Sequence, residues 1–190
     1  MKHALPILLW LICSAPAAFP ADAVQIQFPN ADVSQVLDFY ERLTGLHTIR
    51  NNRVIGQISI VISTVVTREK AVELIEDTLF SNGYCLIQTK PDTVEVFASG
   101  KTPGDRAVPV VTKPDDLPKG ERIVSYVFKL KFRQPAEIAK LLEAQLSPSA
   151  YGFHTITQDD HSRSVIVTER TSTLREMIRL VAELDVAKKK

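Results

Sequence analysis

One apolar rhythm occurs twice in this chain, with Ala31 and Ala136 in corresponding places 105 residues apart, and it constrains the fold more than any other feature. Gln25, Ile26, Gln27 and Phe28 alternate polar and apolar as a strand does, then lead into Ala31, Asp32, Val33, Val36 and Leu37 at helical spacing. Phe128, Lys129, Leu130, Lys131 and Phe132 alternate in the same way and lead into Ala136, Glu137, Ile138, Leu141 and Leu142. Each copy reads as a strand feeding a helix, so two small α+β modules in series are expected. A chain of 190 residues, 45% of them hydrophobic, has enough aliphatic material for two small cores.

The first residues have another character. Lys2 and His3 precede an oily run over residues 4–13, followed by small residues and prolines up to Ala21, Asp22 and Ala23. This pattern predicts a secretory signal over residues 1–23, cut after Ala23 or, with the small-x-small pattern of Ala15-Pro16-Ala17, after Ala17. The oily run is shorter than the roughly 20 residues a membrane-spanning helix needs. Ile12 stands before Cys13 where lipoprotein processing requires a small side chain. Cleavage leaves Cys85 as the single cysteine, which excludes an intramolecular disulfide; between Tyr84 and Leu86 it reads as a small core residue. The net charge of +1 survives the loss of Lys2 and Asp22, which argues against an extended nucleic-acid footprint. Lys188, Lys189 and Lys190 read as a solvated tail.

In the first module a strand over residues 24–28 precedes a helix whose Val33, Val36, Leu37, Tyr40 and Leu43 share one face and which Gly45 ends. Asn30 or Asp32 caps it, and Asp32 with Gln35 has capping-box spacing. Ile58, Ile60 and Ile62 alternate with Ser59, Val61 and Ser63 as a half-buried strand. A helix over 68–81 turns Val72, Ile75 and Leu79 inward and stops at Asn82-Gly83; strands over 84–88 and 93–97 flank the turn Lys90-Pro91-Asp92. Residues 107–111 are expected to add a strand to the same sheet. The stretch with Lys113, Pro114, Asp115, Asp116, Pro118 and Gly120 reads as a linker.

The second module runs strand 122–132, helix 135–146, strand 153–158, strand 164–168 and helix 173–184, with Pro135 suited to a first helical turn and Thr173 and Glu176 at capping-box spacing. A three-stranded sheet covered on one side by two helices is expected. The predicted class is therefore α+β: a βαββαββ-type module over 24–111, a linker over 112–121, a KH-like βαββα module over 122–186 and a basic tail over 187–190.

Catalytic patterns are missing from the sequence. His47, His154 and His161 share no helix face with a carboxylate at metal-ligand spacing, and there is no H-E-x-x-H, paired C-x-x-C, phosphate-cradling glycine loop or G-x-S-x-G. Asp159, Asp160, His161, Ser162 and Arg163 read as a hairpin turn whose side chains satisfy their own backbone. A hydrolase would have to assemble Asp160, His161 and Glu169. The βαββα order invites comparison with RNA-binding KH domains, but the GXXG loop they need is missing. The expectation is a contact protein with no enzymatic activity, cofactor, metal or nucleic-acid partner.

The order of these elements, with Phe28-Pro29-Asn30-Ala31-Asp32-Val33 entering the first helix and Ser164-Val165-Ile166-Val167-Thr168 and Ala182-Glu183-Leu184-Asp185 closing the second unit, resembles the periplasmic N-terminal part of bacterial secretins, those of type II secretion above all. The first module resembles their first ring domain, which is related to the short N-terminal signalling domain of TonB-dependent receptors; the second resembles the NolW-like ring domain that follows. Where that family often has Asn in the hairpin turn of the second module, this chain has Arg163.

The resemblance implies a periplasmic protein of an outer-membrane secretin complex, whose partners are the inner-membrane clamp protein of the secretion system and other secretin chains in a ring. Secretins continue into a pore-forming β region, for which the residues after Asp185 are too few. The expectation is thus a docking portion of a type II secretin, with a freestanding periplasmic adaptor or a TonB-linked signalling domain as alternatives. Edge pairing offers a physical route to docking, and the candidate edges are Val24, Gln25, Ile26, Gln27 and Phe28 on one strand and Ile58, Ser59, Ile60, Val61 and Ile62 on the other.

Overall fold

The computed structural model describes residues 22–98, 108–146 and 154–187, so the expected signal up to residue 21 and the terminal lysines fall outside the described residues. The first module comprises β1 (Ala23–Val24), β2 (Gln27–Asp32), α1 (Val33–Thr44), β3 (His47–Arg50), β4 (Gln57–Val61), β5 (Val66–Thr67), α2 (Arg68–Ser81), β6 (Tyr84–Lys90) and β7 (Thr93–Ala98). The second comprises β8 (Val110–Val111), β9 (Ile123–Lys129), α3 (Pro135–Gln145), β10 (Thr155–Asp159), β11 (Ser164–Arg170) and α4 (Thr171–Leu184). The architecture is α+β, as the repeated rhythm implies.

Local chemistry sets the helix ends. Asp32 caps α1 by accepting from the Ser34 N–H, and Gly45 at φ 73° closes it in the left-handed region where glycine carries no Cβ penalty. Thr67 caps α2 through the Lys70 N–H. The inward faces of α1 (Val33, Val36, Leu37, Tyr40) and α2 (Ala71, Ile75, Leu79) meet Ile26, Ile58, Ile60, Leu86, Val94 and Val96 in one core. In the second module, Val124, Tyr126 and Phe128 of β9 and Val165 and Val167 of β11 meet Ile138 and Leu142 of α3 and Leu174, Met177 and Val181 of α4.

Four expectations need correction. First, Val110 and Val111 do not extend the first sheet: they pair in parallel with Ser125 and Tyr126, making the second sheet four-stranded in the order β10-β11-β9-β8. A two-residue strand holds too little pattern to choose a partner, and the bond from the Ser125 N–H to the Pro109 carbonyl makes the choice. Second, β3 was not expected; it lies parallel to β7, and the polar sequence His47-Thr48-Ile49-Arg50 hides it.

Third, the stretch read as a linker is docked. A 3-10 turn (Pro114–Asp116) leads to Leu117, which is buried in the second core, and Arg175 donates to the Pro118 carbonyl at 2.7 Å. Fourth, α4 begins two residues before Thr173. No side chain caps it; the Thr171 hydroxyl donates to the Gly120 carbonyl and accepts from the Arg122 N–H, so the docked strap fixes the start of the helix.

The end of the second module is tied to its beginning. The Asp185 carboxylate accepts from the backbone N–H groups of Lys131, Phe132 and Arg133 at 2.6, 2.8 and 2.8 Å. Partial burial opposes its ionisation, but these three bonds outweigh that and hold its carboxyl below the ordinary range. The Ala-Glu-Leu-Asp motif thus ends on the residue that closes the unit.

The departure at Arg163 lies in the hairpin between β10 and β11. Its φ is 50°, in the left-handed region that Asn and Gly enter at lower cost. Arg163→Asn is expected to stabilise the protein by about 0.5–1 kcal/mol, part of the left-handed penalty that Asn avoids, read as a rise in the urea midpoint at unchanged slope; an unchanged or lower midpoint would count against backbone strain at this turn.

Candidate docking surface

The two strands proposed as edges pair with each other. β2 and β4 form an antiparallel ribbon with Gln27 opposite Val61 and Phe28 opposite Ile60, while Val24 pairs with Val66 in the separate β1-β5 ribbon. Ile26, Ile58 and Ile60 are buried in the first core, Phe28 and Ile62 are half-buried, and Gln25, Gln27, Ser59 and Val61 are exposed. The candidate set is therefore brought together by the fold, but its isoleucines serve mainly the interior. Its outward-facing members are the residues a partner can reach.

Hydrogen-bond parity distinguishes the two margins of the ribbon. The Ile62 N–H donates to the Ile26 carbonyl at 2.9 Å, so Ile26 and Ile62 form an exchanging pair, and antiparallel alternation makes Phe28 and Ile60 the next one. The backbone groups of Gln27 and Pro29 on β2, and of Ser59 and Val61 on β4, then point away from the ribbon. Pro29 has no N–H to offer, and beside it the register shifts at a bulge where Asn30 has φ 50° and its N–H bonds Ser59 Oγ at 2.9 Å. The β2 margin is thus poorly suited to a further strand.

The β4 margin is regular, and no strand pairs with it among the described residues. Gln57, Ser59 and Val61 along it are all exposed, Val61 to 52%.

A groove of about 530 Å³ runs between β2 and α1, lined by Gln27, Phe28, Pro29, Gln35, Asp38 and Arg42. The Phe28 ring packs edge-on against Phe39 at 5.2 Å, and the Arg42 guanidinium lies 5.5 Å from the Phe39 ring. Asp38 pairs with Arg50 at 2.5 Å, and Glu41 accepts from the Thr48 N–H at 2.8 Å. Burial opposes the ionisation of Glu41, but the Thr48 bonds and the Arg50 charge hold its carboxyl below the ordinary range. Sequence reasoning missed the groove residues Gln35, Asp38 and Arg42. The polar face of α1 was their only signal, and most helices have one.

The polar cluster of the second module is a turn. The Asp159 carboxylate accepts from the His161 and Ser162 N–H groups at 3.1 and 3.3 Å, as a hairpin turn with side-chain support should. Glu169 lies five strand residues beyond Ser164, roughly 17 Å along β11, so Asp160, His161 and Glu169 are not brought together. Burial pushes the Glu169 carboxyl up, and it accepts from the Arg170 N–H. Among the described residues no group of three His, Cys, Asp or Glu side chains is placed to hold a metal ion, and no helix is long and apolar enough to cross a membrane.

Two family models match the sequence, and between them they cover more than half of it: the GspD-like N0 domain over residues 26–96, and the bacterial type II/III secretion system short domain over residues 125–190. No curated protein matches at a significant level. Among solved structures, the chain resembles the Klebsiella pneumoniae type II secretion system outer membrane complex of PulD, PulS and the PulC HR domain, with a TM-score of 0.67 at 19% identity over 84% of this chain and 26% of that one. The N-terminal domain of the secretin XcpQ from Pseudomonas aeruginosa matches with a TM-score of 0.38 at 14% identity, over 86% of this chain and 66% of that one. The GspC-GspD complex of enterotoxigenic Escherichia coli matches with a TM-score of 0.35 at 17% identity, over 86% of this chain and 98% of that one. The chain spans about a quarter of the length of the Klebsiella chain it matches.

Proposed function

Because the chain belongs to the bacterial secretins, carrying the N-terminal domains found in those of type II secretion systems, we propose that it is the periplasmic docking and ring-building portion of such a secretin. Secretin N-terminal domains are structural, periplasmic parts of an outer-membrane transport complex. In this reading the first module receives the periplasmic region of an inner-membrane partner of the GspC type, and the second packs beside neighbouring secretin chains. The chain reaches the periplasm through its N-terminal signal and takes part in protein secretion by contact, without catalysing a reaction.

The β4 margin is the observation that supports docking most directly. It offers the outward N–H and C=O groups of Ser59 and Val61 to an incoming strand, and main-chain hydrogen bonds of this kind provide affinity while exposed side chains such as Val61 provide selectivity. Val24 to Phe28 contribute from the other side of the ribbon through the groove between β2 and α1.

The test is a calorimetric titration of the chain with the periplasmic domain of the GspC-type protein from the same organism. Val61→Pro removes an outward N–H and places a ring on the margin, and no bond within the ribbon is lost. A binding loss of about 1–2 kcal/mol, roughly 5- to 30-fold, is expected, with little change in the melting temperature. Equal affinity for wild type and variant would exclude the β4 margin, and no binding by the wild type would overturn the docking reading itself.

A further inference from the structure

We propose that Tyr40, Glu76 and Arg122, closed over by Gly120, form a buried latch that holds the two modules at one fixed angle, so that the first module cannot turn without carrying the second. The three side chains come from α1, from α2 and from the residue just before β9. Tyr40 Oη donates to Glu76 Oε1 at 2.7 Å; Arg122 Nη1 donates to the same oxygen at 2.6 Å and Nη2 to Tyr40 Oη at 2.5 Å. The Glu121 N–H donates to Glu76 Oε2 at 2.6 Å, so both carboxylate oxygens are held from the second module. The ion pair is almost dry, with 4% and 0% of the Arg122 and Glu76 side chains exposed.

Gly120 makes this approach possible. At φ +77° it takes a conformation L side chains rarely adopt, and a Cβ there would fall on Glu76 Oε2 and lie 3.0 Å from its Cδ. On one side of the latch an apolar contact joins the modules. The strand order Tyr84-Cys85-Leu86-Ile87 sends Leu86 into the first core, while Cys85 and Ile87 emerge on the opposite face of the sheet and pack against Ile123, with Phe80, Phe97 and Val108 nearby. The Arg170 guanidinium lies 4.9 Å from the Phe80 ring.

An apolar contact this small is non-directional and tolerates sliding. A closed ring of charge-assisted bonds does not, because any slip leaves a buried charge without its partner. The latch therefore selects one orientation from the many that the apolar contact alone allows.

Cys85 reports on the state of this junction. Its thiol is buried, and that burial pushes its pKa up to about 12, so alkylation in the closed form is doubly suppressed. The experiment follows iodoacetamide labelling of the full chain near pH 8, with peptide mass spectrometry to separate Cys85 from Cys13. Amide hydrogen exchange of the two cores is measured in parallel.

Tyr40→Phe, which keeps the ring and the ion pair, and Arg122→Met, which keeps the length without the charge, are each expected to raise Cys85 labelling at least tenfold. The rise in labelling should exceed any rise in core exchange at least tenfold. Ile138→Val, a change in the second core away from the junction, should not raise labelling ahead of exchange. Unchanged labelling in both latch variants would overturn the proposal, as would a rise matched by an equal rise in exchange across both cores, the signature of global unfolding.

Discussion

Replacing Glu76 with alanine is expected to lower the stability of the protein by about 3–5 kcal/mol, because it strands a buried guanidinium. Arg122 would lose its buried carboxylate partner, the Tyr40 hydroxyl its acceptor and the Glu121 N–H its partner, all at a site from which water is nearly excluded. Such a loss corresponds to a fall in melting temperature on the order of 10 °C in a protein of this size. The sign of the double replacement is informative. Glu76→Leu combined with Arg122→Met removes both charges and leaves apolar side chains of similar volume, so most of the lost stability should return. Thermal unfolding followed by circular dichroism measures both variants; a Glu76→Ala protein within 1 kcal/mol of wild type would show that the pair is not dry in solution.

Gly120→Ala is expected to cost about 2–4 kcal/mol by a different route. The left-handed backbone alone penalises a Cβ by roughly 1–2 kcal/mol, and the added methyl falls on the Glu76 carboxylate, so either the strap or the carboxylate must move. Combining Gly120→Ala with Glu76→Leu/Arg122→Met tests this account, because two changes acting through one contact are not additive. The alanine should then cost only its backbone share. Full additivity in denaturant titrations would place the clash elsewhere.

The helices were legible because their signals are local. The inward stripe of α1, the Gly45 stop and the residues 68–81 of α2 are all written within a few residues of where they act. The strand β3 was not legible: Thr48 and Arg50 are held in place by Glu41 and Asp38 on α1, and the His47 N–H donates to the Asp92 carbonyl, relations no alternation pattern encodes. The junction left two marks in the sequence that propensity reasoning passes over. Glu76 stands in the apolar stripe of α2 four residues after Val72 and three before Leu79, where a carboxylate needs a partner. The unbroken run Tyr84-Cys85-Leu86-Ile87 signals a strand covered on both faces, although only one face could be filled by its own module. Neither mark says that the partner is Arg122, which lies 46 residues from Glu76. The candidate edges were legible as strands, but their pairing with each other depended on a register set by the bulge at Pro29 and Asn30.

That bulge also bears on counting. A ribbon with a proline-blocked margin on β2 and an open margin on β4 accepts at most one added strand, so a strand guest cannot bridge one chain to the next through this ribbon. In an array of many identical chains, direct strand pairing to this ribbon then saturates at one guest for each chain.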